Sequence, residues 1–312
     1  MNPPHTPATA PLKPLFWYAG GKRFTAAYVW RALGNPATYI EPFTGSAAVL
    51  LARPTAHLTG PGRRIEIIND INGRLVNLWR ALQSHPEQVW QAAQGPRTRI
   101  DMDCRHKAIV AADPDLTAQL LSHPHWCDPQ LAGWQLYTLR YATHPRNSLN
   151  CTRRTIGRPA INPPPITRQQ LADVAARLTC TRLLIMCHDW SKTLTPALTC
   201  NRPVAVFLDP PYLSANRDSE LYLTPGSRDD GRPTAAAARQ WAIDHADDPT
   251  MRIVLAGYDD EGCPPGWTAV AWSSAAGGAS RHNERLWLSP HCHIRAFDPA
   301  QTLSLYARPE RT

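Results

Sequence analysis

Val204-Ala205-Val206-Phe207-Leu208-Asp209-Pro210-Pro211-Tyr212 is an apolar run that ends in an acid, two prolines and an aromatic residue. Apolar residues in unbroken succession, without polar alternation, predict a strand buried on both faces, as in a parallel sheet covered by helices. Proline cannot continue the ladder, so the strand stops at Asp209. Open α/β sheets bind ligands outside the carboxyl ends of their strands, and Asp209 is therefore placed where chemistry can be done. Taken alone, the tetrapeptide also fits a strand that simply ends in a rigid Pro-Pro turn.

Similar runs lie on either side. Thr38 to Glu41, Ile65 to Asn69, Arg182 to Cys187 and Arg252 to Ala256 read as further short strands. Helical spacing follows at Ser46 to Ala52 and at Asn72 to Gln83, where Leu75, Leu78, Trp79 and Leu82 share one face. Thr167 with Gln170 forms a capping box that opens a helix through Leu178, and Thr268 to Trp272 with Arg285 to Leu288 reads as a hairpin pair. Strands alternating with helices predict an α/β fold, a doubly wound, Rossmann-like and mostly parallel sheet. The rhythm stops between Gly95 and Pro165. The expected organisation is a discontinuous catalytic domain over 14–94 and 166–300, a target-recognition insert over 95–165, and a flexible N-terminal segment over 1–13.

Three further constellations sit at strand ends or turns. Tyr39-Ile40-Glu41-Pro42-Phe43-Thr44-Gly45-Ser46-Ala47-Ala48 is a small-residue turn between strand and helix, where a ligand can approach the backbone and its carboxylate can meet helix N–H groups. Glu66-Ile67-Ile68-Asn69-Asp70-Ile71-Asn72 puts an acid at the end of the next strand, able to accept from both hydroxyls of a ribose or to cap the following helix. Leu15-Phe16-Trp17-Tyr18-Ala19-Gly20-Gly21-Lys22 offers a tight bend flanked by an aromatic and a lysine. At Asp209 a carboxylate and the fixed carbonyl of Pro210 can accept the two hydrogens of a conjugated amine such as that of adenine. A pyramidal nitrogen with an available lone pair is then favoured, and Tyr212 offers a ring on which an extruded base can stack.

In this order the elements resemble the Dam-type adenine-specific DNA methyltransferases, including relatives from phages and restriction systems. The resemblance runs from about Leu15 to Cys292 and is weakest in the insert. It rests on Tyr18 to Lys22, Glu41 to Gly45, Asn69-Asp70, Asp209 to Tyr212 and Ala256-Gly257-Tyr258. It implies a class I S-adenosylmethionine methyltransferase fold and transfer of a methyl group to adenine N6, with Asp209, Pro210, Pro211 and Tyr212 as the catalytic loop. Tyr18, Lys22, Glu41, Phe43, Gly45, Asp70, Ile71 and Asp209 are then expected to bind S-adenosylmethionine, and Asp189 to face its adenine. One position departs from the pattern: Ala47 stands where the family has a second glycine, which narrows the approach to the backbone.

Composition agrees with a polyanionic partner. The 312 residues carry a net charge of +8, which favours nucleic acid without separating DNA from RNA. Arginine outnumbers lysine 29 to 4, a bias that a GC-rich genome also produces. Between Pro129 and Ala172 there is no acid but six arginines, Arg140, Arg146, Arg153, Arg154, Arg158 and Arg168. Arginine and asparagine hold phosphates and read base edges, so Arg140, Arg146, Asn147, Asn150, Arg153, Arg154 and Arg158 are the candidates for contact with double-stranded DNA. Trp126, Trp134, Tyr137 and Tyr141 read as a small core of the insert.

Cys104, His106, His123, His125, Cys127, His144 and Cys151 lack the paired spacing of zinc ligands, so no metal is expected. The eight scattered cysteines read as reduced thiols. With no membrane-length apolar run and no signal peptide at the N-terminus, the expected compartment is the cytoplasm. Nothing requires an obligate protein partner; a cognate restriction endonuclease is the partner the resemblance suggests. Two other readings are methylation of RNA or of the cytosine amino group, and a non-catalytic DNA-binding protein that keeps the fold.

Overall fold

The structure, a computed structural model, describes residues 11–16, 18, 21–58, 64–141, 164–211, 231–271 and 284–294. Its strands are β1 (Thr38–Glu41), β2 (Ile65–Asn69), β3 (Arg182–Met186), β4 (Val204–Leu208), β5 (Met251–Tyr258), β6 (Thr268–Ala271) and β7 (Glu284–Leu288). They form one sheet in the order β3-β2-β1-β4-β5-β7-β6. The first five are parallel, and β7 runs antiparallel to both β5 and β6. This is a Rossmann-like, mostly parallel sheet with an antiparallel edge. The strand order reverses between β1 and β4, so the ends of these two strands flank the natural ligand crevice.

Alternation along β4 separates two cores, as a side-chain period of two requires. Ala205 and Phe207 join a cluster with Tyr39, Ile68, Leu75, Leu78 and Trp79. Val204, Val206 and Leu208 point the other way, onto Ala238, Ala242 and Trp287. On the first face lie α1 (Ala26–Leu33), α2 (Ala48–Leu51), α3 (Gly73–Ser84), α4 (Pro86–Ala92), α5 (Arg99–Ser122), α6 (Pro129–Tyr141) and α7 (Arg168–Thr179); α8 (Pro196–Thr199) follows β3, and α9 (Arg232–Asp244) covers the second face.

Each expected strand is present, with β5 extended to Tyr258. The capping box at Thr167 forms with Gln170. Two details differ. The helix expected over Ser46 to Ala52 is the single turn α2, because Ala47 before it adopts left-handed backbone angles, φ 50° and ψ 30°. The cap of α3 is Asn72, whose side chain accepts from the Arg74 N–H, while the Asp70 carboxylate is used elsewhere.

Helices α5 and α6, which lie within 95–165, extend the main core. Leu116, Leu120, Ala132, Leu136 and Leu139 belong to the same cluster as the sheet, and Trp126 packs against it. The expected local aromatic core reduces to Tyr137 against Tyr141, ring centroids 5.0 Å apart. Polar ties reinforce the docking. Arg74 on α3 makes a forked ion pair with Asp113 on α5, 2.9 and 3.0 Å. The buried Arg80 guanidinium donates to the carbonyls of Leu120, His123 and Trp126 and to Ile185 on β3. The Leu120 and His123 carbonyls lie at the end of α5, where the helix dipole favours a cation. The cysteines among the described residues are unbridged, and none of the described helices is long and apolar enough to cross a membrane.

Candidate active site

Because β1 to β5 run in parallel, their carboxyl ends share one edge, and that edge gathers Glu41, Asp70, Asp189, Asp209 and Tyr258. At β1, Tyr39 and Glu41 lie two residues apart and so share a face. The Tyr39 hydroxyl donates to Glu41 Oε2 at 2.9 Å, and the Leu50 N–H donates to the same oxygen at 3.2 Å. This internal bond occupies an N–H of the short helix α2 that the sequence offered to a ligand carboxylate. Burial pushes the Glu41 carboxyl up to about 8, with the nearby Asp209 charge acting in the same direction. Burial also raises the Tyr39 phenol well above its usual value, with Glu41 next in effect.

The turn after Glu41 is built for close approach. Gly45 has φ 49°, and a Cβ there would lie 2.9 Å from the Tyr18 ring. Tyr18 thus covers the turn from the N-terminal segment, and the Trp79 indole N–H anchors it from α3 by donating to the Gly45 carbonyl at 3.1 Å. The Gly45 N–H donates to Asp70 Oδ2 at 2.9 Å, and Asp70 Oδ1 accepts from the Asn72 N–H at 2.9 Å. Asp70 therefore ties the β2 end to the β1 turn. Burial raises its pKa, against the two N–H groups that lower it. Ile71 beside it is 59% exposed, an open apolar surface next to a carboxylate.

Asp189 follows β3, exposed, and accepts from the Ser191 N–H and hydroxyl at 3.0 and 2.5 Å. Its neighbour Trp190 stacks on Phe43, centroids 6.1 Å apart and rings 25° from parallel, which joins the loops after β1 and β3.

The end of β4 meets the N-terminal segment at the switch point. Lys22 Nζ lies 2.8 Å from Asp209 Oδ1, with side chains 3% and 18% exposed. The Gly21 N–H donates to the Tyr18 carbonyl at 2.9 Å, and the Lys22 carbonyl accepts from Thr25 and Ala26 at the start of α1. The bend in the Tyr18 to Lys22 element thus delivers the lysine to the strand end. Pro210 is buried behind Asp209 and Pro211 half-buried. Tyr258, at the end of neighbouring β5, has its phenol pKa raised, chiefly by burial, with Asp209 among the surrounding negative charges.

For two residues of this centre the sequence shows the motif without the contacts their side chains make. Tyr39 reads as an ordinary apolar strand residue, and only its position two before Glu41 points to the hydroxyl contact. Asn69 belongs to the Asn69-Asp70 pair on which the resemblance rests, and that pair does not show that its side chain bonds to loops on both sides.

Of the expected DNA contacts, Arg140 is engaged internally: its guanidinium donates to the carbonyls of Leu15 and Pro164. It fastens the N-terminal segment to the segment that leads into α7. Arg146, Asn147, Asn150, Arg153, Arg154 and Arg158 lie outside the described residues, as does Tyr212.

Comparison with known families agrees with the fold. Residues 18–98 match the family model of the D12 class N6 adenine-specific DNA methyltransferases. That stretch holds Lys22, the Glu41 to Gly45 turn and Asn69-Asp70, and the match supports the Dam-type adenine methyltransferase family and the methylation of adenine in DNA. No curated protein matches the chain.

Proposed function

We propose that this chain is a site-specific DNA methyltransferase that transfers a methyl group from S-adenosylmethionine to the 6-amino group of adenine in duplex DNA. The observation that carries the reading is the Lys22 to Asp209 ion pair at the point where the strand order reverses, with Glu41 and Asp70 on the same edge.

The residues suit the cofactor. Glu41 Oε2 takes two internal hydrogen bonds and leaves Oε1 for a ligand ammonium. The Gly45 turn brings backbone to the surface of the crevice, and Asp70 retains acceptor lone pairs for ribose hydroxyls beside the open face of Ile71. Tyr18, Phe43 and Asp189 complete the set. When bound, S-adenosylmethionine supplies an electrophilic methyl group on a sulfonium.

The chain's own contribution is to make a weak nucleophile competent. Lys22 holds Asp209 in one orientation; Asp209 and the carbonyl of Pro210 are then the acceptors for the two amino hydrogens of a base. The ring of Pro210 fixes its φ and Pro211 after it restricts its ψ, which together limit the direction of that carbonyl. Tyr212 is assigned to stacking on the extruded base, and Arg146, Asn147, Asn150, Arg153, Arg154 and Arg158 to the duplex. The +8 net charge supports a nucleic-acid partner. The division into a catalytic domain and an insert over 95–165, and a cytoplasmic site of action, belong to the same proposal.

The test is single-turnover transfer of labelled methyl groups to duplex DNA by the wild type and Asp209→Ala, both saturated with cofactor and DNA. Loss of a charge-assisted hydrogen bond is worth about 1.5 to 3 kcal/mol, and each 1.36 kcal/mol is about tenfold in rate. A drop of at least ten- to hundredfold with DNA binding retained is expected. Equal rates would remove Asp209 from catalysis. Label only in RNA or on cytosine would redirect the substrate assignment, and no transfer by either protein would favour a DNA-binding module.

A further inference from the structure

Asn69 is the last residue of β2, which lies between β1 and β3, and its side chain is buried. Its Nδ2 donates to the carbonyl of Pro42 in the loop after β1 and to that of His188 in the loop after β3, both at 3.0 Å. Its Oδ1 accepts from the His188 N–H at 2.9 Å. The backbone adds two more ties to the β1 loop: the Asn69 N–H donates to Thr44 Oγ1 at 3.1 Å, and the Thr44 N–H donates to the Asn69 carbonyl at 2.9 Å. Thr44 Oγ1 in turn donates to the Glu41 carbonyl at 3.0 Å.

An amide is the side chain this place requires. It presents two donors and an acceptor in one plane, whereas a carboxylate of the same shape has no hydrogen to give either carbonyl. The loops so joined carry Glu41, Phe43 and Gly45 on one side and Asp189 on the other, with Asp70 and Ile71 between them. Phe43 and Trp190 stack across the same gap.

We propose that Asn69 is a positioning residue for the cofactor: it fixes the distance between the loops after β1 and β3, and so the shape of the pocket in which S-adenosylmethionine is held. The inference rests on the methyltransferase reading above. It assigns Asn69 to cofactor binding through other residues and leaves the methyl-transfer step to Asp209.

The experiment uses the full chain and two substitutions, Asn69→Asp, which keeps the shape and removes both donors, and Asn69→Ser, which removes the bridge without placing an acid in the core. Amide hydrogen exchange without ligand is expected to quicken together in residues 43–47 and 188–194, with β1, β4 and β5 still protected. Calorimetric affinity for S-adenosylmethionine should fall about tenfold, since binding must then re-form a pocket shape that the two lost internal bonds, worth about 1 kcal/mol each, no longer hold in advance. KM for the cofactor should rise, with kcat at saturating cofactor within about threefold of wild type. Exchange that quickens in one loop only, or throughout the sheet in both variants, would overturn the bridging role. Variants that bind as tightly as the wild type would overturn the positioning role. A wild type that binds no S-adenosylmethionine would instead remove the functional reading, while the exchange measurement would still decide the bridge.

Discussion

The pair formed by Lys22 and Asp209 can be weighed by removing each partner in turn. Lys22 is 3% exposed and Asp209 18%, with 2.8 Å between Nζ and Oδ1. Removing one partner of a buried pair costs about 3 to 5 kcal/mol, because the other charge is left in a poorly solvated place. The two variants should differ for a structural reason. Asp209→Ala takes the carboxylate from an ammonium that water barely reaches, so a loss near the lower end of that range, about 3 kcal/mol, is expected. Lys22→Met strands a carboxylate at the crevice edge, which water can hydrate, and should cost less, about 1 to 2 kcal/mol.

In the double variant neither charge is stranded, so its loss should fall short of the sum by at least about 1 kcal/mol. Urea unfolding of the four proteins, analysed with a common slope, measures the cycle. Additive losses would mean that the two groups do not depend on each other, and Lys22 would lose its assignment as the holder of Asp209. Methyl transfer read on the same proteins separates stability from catalysis, since both single variants should be slow even where they are fully folded.

Three further outcomes are expected. With its pKa near 8 in the empty protein, Glu41 holds a proton at pH 7; a bound cation favours the carboxylate, so cofactor binding should release protons. Calorimetry in buffers of different ionisation enthalpy should show that release in the wild type and less of it in Glu41→Gln. Because the same carboxyl has its pKa raised from an ordinary 4.5, the folded state holds the extra proton between that value and 8, and Glu41 lowers stability as pH rises through this window. Unfolding midpoints should therefore fall less steeply with pH in Glu41→Gln than in the wild type, and parallel curves would contradict the assignment. Glu66 accepts from Arg53, Arg177 and Thr181 at 2.6 to 2.9 Å in the core, and Glu66→Gln should cost about 3 to 5 kcal/mol in denaturant unfolding by leaving two guanidinium groups without a carboxylate.

The sheet was legible because its signal is local. A strand covered on both faces is mostly apolar: β4 is so without interruption, β1, β2, β3 and β5 carry short Ile, Leu and Val runs broken by single polar residues such as Glu66 and Arg252, and an acid or turn residue stands at the exit of most. The helices α3 and α7 were equally plain, since apolar spacing and a capping residue agree. What the sequence did not show was the end use of polar side chains, which depends on residues brought together from afar. Arg140 looks like a phosphate ligand in an acid-free window, yet it closes on two carbonyls, one of them at Leu15, 125 positions away in sequence. Asn69 stands in the Asn69-Asp70 motif, yet nothing in that motif shows that it holds two loops, one of them 119 positions distant.

Ala47 shows how motif and geometry answer different questions. The family pattern identifies it as a missing glycine, and from that alone one infers a narrower approach to the cofactor. The backbone supplies the reason a glycine suits the place: φ is 50°, in the left-handed region that costs an L-residue about 1 to 2 kcal/mol. Alanine has compensations there. Its methyl is fully buried, worth about 0.8 kcal/mol, and a glycine would enlarge the unfolded ensemble at a cost of roughly 0.5 to 1 kcal/mol. The opposing contributions nearly cancel, so folding alone does not demand glycine at this position. The same burial puts the Ala47 methyl in the main core and not on a face open to a ligand, so Ala47→Gly is expected to change stability by less than about 1 kcal/mol and to leave S-adenosylmethionine affinity close to that of the parent chain, and a large gain in affinity would show instead that the methyl narrows the approach to the backbone.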